Sequence, residues 1–293
     1  MDNQQIIFIW DGNYNNYLNV CLQSLRLYNK LCKVNLFYLE ETIPKYFQNL
    51  NINFTKINKN KWINRRLHHK LELTKEVLKD SPKNSELLVL DCDLLFQDDP
   101  FLMFKQYPNY DFYYTTCVMT LWRKINYCVN GGVKGYRHTK NTIKFLDFWI
   151  DNNINLSWSV WKNYQDRHLE NGVDWWYCQD FPNCVHNNEL PFELKKIDVG
   201  YKFNYFTSTW GYFSKYLEMG SKIGNKNYVI IHFKSNFKDV YNINNPKIYN
   251  LPKILNKKSL ITTHSHNLIV KKFLSRGENR YKVLYFFLYN INI

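Results

Sequence analysis

The apolar residues of this chain keep two rhythms, and the changes between them outline the elements. IIFIW (6–10) is a short β-rich run that ends in the polar turn DGNYNN. Leu18, Cys21, Leu22, Leu25 and Tyr28 then recur every three or four residues, which predicts a helix. KVNLFYLE (33–40) predicts a second strand. Leu67, Leu71, Thr74 and Leu78 predict a second helix, closed by the turn DSPKNS. ELLVL (86–90) is apolar without alternation, as expected of a strand covered on both faces. Strand, helix, strand, helix, strand over the first 95 residues predicts an α/β layer architecture with a parallel sheet.

Further along, DFYYTT (111–116) and YVIIHF (228–233) read as strands. In TKNTIKFLDFWIDN, Ile143, Leu146 and Trp149/Ile150 lie on one helical stripe, with Thr139 as the N-cap. Residues 151–215 are dense in Trp and Tyr and carry no clear period. After about residue 245 the chain turns rich in Asn, Pro and Lys and ends in a mixed basic and aromatic segment, so the expected division is a domain at 1–245 and an extension at 246–293. No internal repeat is visible.

With 293 residues, 45% of them apolar and 18% aromatic, the chain has the material for a large core. Its net charge of +14 would attract an acidic partner: a phosphorylated ligand, anionic lipid or nucleic acid. A solvated lysine-rich surface is the competing reading. Seven scattered cysteines with no C-x-x-C spacing suit reduced thiols in a cytoplasmic protein. Cys178, Cys184 and His186 match no common zinc spacing. MDNQQIIFIW lacks the basic start of a signal peptide, and no run of about 18 apolar residues predicts a membrane span. The sequons at Asn53 and Asn155 are therefore read as chance.

The chemistry concentrates where ELLVL runs into DCDLLFQDDPF. In a strand, residues i and i+2 share a face, so Asp91 and Asp93 would project together and Cys92 the other way. Parallel sheets bind ligands at the carboxyl ends of their strands. Two carboxylates there repel unless a cation lies between them, and hard oxygen ligands favour Mg²⁺ or Mn²⁺ completed by substrate phosphates. Asp99 before Pro100 reads instead as a helix start. The bland alternative for Asp91 and Asp93 is a solvated loop.

This D-x-D after a buried strand resembles that of the GT-A fold, nucleotide-sugar-dependent glycosyltransferases. Four further stretches are similar to that family in the expected order: WDGNYNNYLNVCLQSL, RRLHHKLELTKEVL, NGGVKGYRHTKNTIKFLDFWI and IIHFKSNFKD. The resemblance covers roughly residues 5–240 and is nearest the retaining families numbered eight, thirty-four and seventy-seven. It implies a Rossmann-like α/β fold with a mixed, mainly parallel sheet flanked by helices. It also implies a nucleotide-sugar donor, UDP by family habit, a glycan, protein or small-molecule hydroxyl acceptor, and Mn²⁺ or Mg²⁺ as cofactor.

Residue by residue, the resemblance implies that Asp91 contacts the ribose and the metal's outer shell and that Asp93 and His232 bind the metal. Lys238 would neutralise the leaving diphosphate and Lys70 would sit near the donor phosphates or sugar. Asn130 and Gly131 would line the sugar pocket, and Asp11, Asn13 and Tyr17 would frame the base. Asp174 is the catalytic candidate on the acceptor side, and would act as base if transfer inverts. The sequence departs from the family after His232 and Lys238, where Asp239-Val240 stands in place of Pro-Trp.

Each position also has a plainer reading. Asn130-Gly131 is a hairpin-turn signal, His232 a core histidine and Lys70 part of a solvated helix face. Trp149, Trp158, Trp161, Trp175 and Trp176 would suit an acceptor groove or an ordinary aromatic core. Two other functions compete with glycosyl transfer. One is a metal-dependent phosphoryl transferase or nuclease, although GSKIGNK has the wrong spacing for a phosphate loop and no second acidic cluster accompanies the D-x-D. The other is a non-catalytic polyanion or membrane-surface binder using a basic amphipathic tail in 255–293. Within the glycosyltransferase reading no nucleic-acid partner is expected, and membrane contact would be peripheral, through that tail.

Overall fold

A computed structural model describes residues 3–10, 15–39, 43, 47, 50–117, 128–155, 185–186, 188–205 and 227–232. Its central sheet contains β1 (Gln4–Trp10), β2 (Lys33–Tyr38), β3 (Ile52–Lys56), β4 (Glu86–Leu90), β6 (Phe112–Tyr114), β9 (Val133–Arg137) and β10 (Lys196–Asp198). The spatial order is β10-β6-β9-β4-β1-β2-β3. Neighbours pair in parallel except at β9, which runs against both β4 and β6. Two small antiparallel sheets flank it. One joins β5 (Leu94–Phe96) to β11 (Ile230–His232), the other β7 (Thr116–Cys117) to β8 (Cys128–Val129). The α/β, mixed and mainly parallel architecture expected from the sequence is the one observed.

The period of two along the strands divides the core into two layers. Ile6, Phe8, Val34, Leu36, Leu88 and Leu90 face α1 (Asn15–Tyr28), burying Leu18, Cys21, Leu22 and Leu25. Ile7, Phe37, Leu87, Val89 and Tyr136 face α2 (Lys59–Lys79) and α4 (Lys140–Asn155), burying Leu71, Leu78, Phe145, Leu146 and Trp149. β4 is thus covered on both sides, which is why it reads as an unbroken apolar run. Tyr28, on the expected stripe of α1, is instead 44% exposed, because the helix ends there and the chain turns away.

Three expectations differ from the structure. β3 was not legible: it is an edge strand whose apolar content is Ile52 and Phe54, with Asn53, Thr55 and Lys56 exposed. ELLVL is therefore the fourth strand in chain order. DFYYTT is not one strand, since the chain leaves the main sheet at Thr115 and re-pairs as β7 with β8. The short α3 (Leu102–Gln106) has Phe101 as its N-cap with no side-chain cap bond. Asp99 caps the turn before it, accepting from the backbone N–H of Phe101 at 3.1 Å.

The N-cap of α4 is as expected. Thr139 Oγ1 accepts from the Thr142 N–H at 3.1 Å and donates to Asp111 Oδ1 at 2.6 Å. Thr139→Ala is expected to lower the unfolding free energy by about 1 kcal/mol, read from the urea midpoint at unchanged m-value.

Among the described residues no helix is long and apolar enough to cross a membrane. Cys21, Cys32 and Cys92 are free thiols. Burial pushes the Cys21 thiol well up and that of Cys32 up to about 11, so both stay protonated and unreactive. Cys178, Cys184 and the extension 246–293 lie outside the described residues.

Candidate functional site

The D-x-D occupies the turn between β4 and β5 at the carboxyl edge of the parallel strands. β4 ends at Leu90, so Asp91 and Asp93 are not in a strand and their convergence is a property of the turn. The Asp91 N–H donates to the Gly132 carbonyl at 2.9 Å, continuing the β4–β9 ladder by one bond. Cys92 points away, its thiol 3.3 Å from the Ile9 carbonyl.

β5 begins one residue after Asp93 and pairs antiparallel with β11, in a register that sets His232 opposite Leu94. Residues 139 positions apart in the chain are thereby brought together: His232 Nε2 lies 3.3 Å from Asp93 Oδ1 and 3.9 Å from Asp91 Oδ2. One ligand atom from each of Asp91, Asp93 and His232 lies within 4.8 Å of the others. Asp93 and His232 are buried, and Asp91 is 41% exposed at its side chain. Lys70, from the middle of α2, reaches the same place, with Nζ 3.2 Å from Asp91 Oδ1.

The donor set fits a divalent cation. Two carboxylates, one of them sheltered from water, concentrate negative charge that a divalent cation would offset. An imidazole nitrogen added to two carboxylate oxygens suits Mn²⁺ or another first-row ion, with substrate or water completing the shell. Gly132 leaves the space for this convergence. A Cβ there would overlap His232 Cε1 and lie 2.8 Å from His232 Nδ1 and 2.9 Å from Asp91 Oδ2.

The other expected positions separate into two groups. Asn130 and Gly131 are buried beside the site in the turn between β8 and β9. That turn is a corner between two sheets rather than a hairpin, since β8 pairs with β7 and β9 with β4 and β6. Asn130 Oδ1 accepts from the Gly132 N–H at 2.7 Å, while among the described residues nothing accepts from its Nδ2. Tyr17 lies on α1, in the helix that follows the first strand. Asp11, Asn13, Asp174 and Lys238 lie outside the described residues.

Three residues at the site went unnoticed in the sequence. Gly132 is the second of two adjacent glycines, and the sequence favours the first. Asn204 and Thr115 contact His232 directly and at one remove, and only folding brings them near it: Asn204 Oδ1 is 3.1 Å from His232 Nδ1, and Asn204 Nδ2 donates to Thr115 Oγ1 at 2.7 Å.

A mouse xyloside xylosyltransferase 1 structure superposes with a TM-score of 0.51 at 14% identity, over 81% of this chain and 99% of that one. The fold is that of the GT-A glycosyltransferases. Two further GT-A structures align at a TM-score of 0.47. They are the galactosyltransferase LgtC, at 15% identity over 79% of this chain and 87% of that one, and the glycosyltransferase GlyE of Streptococcus pneumoniae TIGR4, at 12% identity over 94% of this chain. The chain spans 64% of the length of GlyE. No protein-family model matches the chain, and no curated protein matches its sequence. The GT-A likeness is therefore one of fold, seen in three dimensions at identities where sequence comparison finds nothing.

Proposed function

We propose that this GT-A protein is a metal-dependent glycosyltransferase, moving a sugar from a nucleoside-diphosphate donor to a hydroxyl acceptor. The observation that carries the reading is the convergence of Asp91, Asp93 and His232 at the carboxyl edge of β4. A divalent cation held there would act as Lewis acid toward the donor diphosphate as it leaves.

The residues divide that work by their surroundings. Asp93, buried and nearest to His232, would be a direct ligand. Asp91, partly exposed and shared with Lys70, would face the ribose and the outer shell. The imidazole of His232 favours Mn²⁺ over Mg²⁺. Lys70 would turn from Asp91 toward the donor phosphates once a cation neutralises the carboxylates. Asn130 Nδ2, a buried donor, would bond a sugar hydroxyl.

By resemblance, Lys238 would add a second positive centre at the diphosphate, Asp11, Asn13 and Tyr17 would hold a uracil base, and Asp174 would face the acceptor. The basic surplus of 39 Lys and Arg over 25 Asp and Glu would draw in the anionic donor. Transfer breaks the bond from the anomeric carbon to the phosphate oxygen and forms one to the acceptor oxygen. With retention, the acceptor proton passes to the departing phosphate oxygen on the same face. Anomeric analysis of the product by NMR tests retention, and an inverted product overturns it.

The reading itself is tested by a thermal-shift panel of nucleoside diphosphates with and without Mn²⁺. UDP is expected to stabilise the protein only with the metal present, and Asp93→Ala is expected to lose that shift. A mutant that keeps the shift removes Asp93 from the metal site. Plasmid cleavage with Mn²⁺, together with no response to any nucleoside diphosphate, overturns glycosyl transfer in favour of phosphodiester chemistry.

A further inference from the structure

We propose that Asn204 is a positioning residue that fixes the tautomer of His232, so that Nε2 presents a lone pair to the cation. This rests on the reading of Asp91, Asp93 and His232 as a metal site, and it assigns a role to a residue that binds neither metal nor donor.

The argument starts from the imidazole. A neutral histidine carries its proton on one ring nitrogen, and whichever nitrogen is protonated cannot bind a metal. His232 turns Nε2 toward Asp93 Oδ1 at 3.3 Å and Nδ1 toward Asn204 Oδ1 at 3.1 Å. A carbonyl oxygen accepts only, so with a cation seated between the carboxylates the Nδ1 facing it would keep the ring proton and Nε2 would turn its lone pair to the metal. The other end of the amide, Nδ2, donates to Thr115 Oγ1 at 2.7 Å. His232 and Asn204 are both buried, 3% and 0% exposed, so water cannot replace the acceptor.

The backbone around Asn204 is tied to β11 at both sides. The Val229 N–H donates to the Lys202 carbonyl at 2.7 Å, the Tyr205 N–H to Ile230 at 2.9 Å and the His232 N–H to Tyr205 at 2.8 Å. Thr115 is tied to the sugar-side turn, its carbonyl accepting from the Asn130 N–H at 2.7 Å. The chain Thr115–Asn204–His232 therefore runs from the point where the strand leaves the main sheet to the metal ligand. Partners of this kind orient a ligating histidine, and their loss weakens metal affinity by about 10- to 100-fold.

The test uses the full chain and Mn²⁺ alone, without nucleotide or sugar. Free Mn²⁺ is titrated by its EPR signal against the wild type, Asn204→Leu, which removes the acceptor at similar volume, and Asn204→Asp, which restores an acceptor for Nδ1–H. Asn204→Leu is expected to bind about 10- to 100-fold more weakly. Asn204→Asp is expected to stay within a few-fold of the wild type, a rescue that a merely space-filling role would not produce. Should Asn204→Leu fail to fold, ¹⁵N NMR of His232 in the wild type saturated with diamagnetic Zn²⁺ decides: a proton on Nδ1 with Nε2 metal-bound supports the proposal, and a proton on Nε2 overturns it. A folded Asn204→Leu that binds Mn²⁺ as tightly as the wild type overturns the positioning role and leaves the metal site standing. A wild type that binds no Mn²⁺ overturns the metal site and this role with it.

Discussion

Gly132→Ala is expected to weaken binding of Mn²⁺ at the site by more than about 100-fold. The added Cβ would overlap His232 Cε1 and stand 2.8 Å from its Nδ1 and 2.9 Å from Asp91 Oδ2, separations that real side chains do not adopt. The half-exposed Asp91 carboxylate can turn away, but buried His232 has little room to yield. His232 is paired in β11 with β5 and held at Nδ1 by Asn204, and the Asp91 N–H is bonded to the carbonyl of Gly132 itself. The imidazole would therefore leave the carboxylates, removing one of the three proposed ligands. The expected loss of Mn²⁺ affinity exceeds about 100-fold, beyond the range for disturbing a supporting hydrogen bond. Overpacking should also lower the unfolding free energy by about 1–3 kcal/mol. An Mn²⁺ titration followed by EPR, run beside a urea unfolding curve, measures both. A folded alanine variant with wild-type affinity would mean that His232 moves aside freely and is no ligand.

Trp149→Ala is expected to have the largest effect on stability. The indole is fully buried in the layer under α4, its ring centroid 5.4 Å from that of Phe145, and Lys134 Nζ lies 5.1 Å above it. Truncation opens a cavity between α4 and β9 and withdraws the ring that faces a buried ammonium, at a cost of about 3–5 kcal/mol. Set against a total of about 5–15 kcal/mol for a domain, that is a large share. The urea midpoint should fall accordingly, and Trp149→Phe, which refills most of the volume, should recover more than half of the loss. A drop under 1 kcal/mol in the alanine variant would mean that the layer collapses around the gap. This burial also decides one ambiguity of the sequence: Trp149 is core and forms no part of an acceptor groove.

Much of the fold was legible because local patterns carry it. The unbroken ELLVL is written by a position covered on two faces, and the three-and-four spacing of Leu18, Cys21, Leu22 and Leu25 by a helix with one buried side. β3 escaped because an edge strand open to water needs few apolar residues, and the split of DFYYTT escaped because a change of sheet at Thr115 leaves no mark on hydrophobicity.

The candidate site divides along the same line. A pair of aspartates after a buried strand is a local statement, and the chain order of the stretches that resemble GT-A enzymes is a one-dimensional one. Both could be read before any coordinates. That Asp91 and Asp93 converge from a turn and not a strand, that β5 carries β11 back to set His232 beside them, and that Gly132 must be bare to admit the imidazole all depend on contacts between distant segments. Asn204 is the clearest instance. Nothing in its neighbours along the chain marks it, and it acquires a role only because strand pairing presses its amide against one nitrogen of a histidine 28 residues away. Residue spacing encodes which side chains share an element, whereas which atoms meet across elements is set by packing, and that is where the specific chemistry of this site arises.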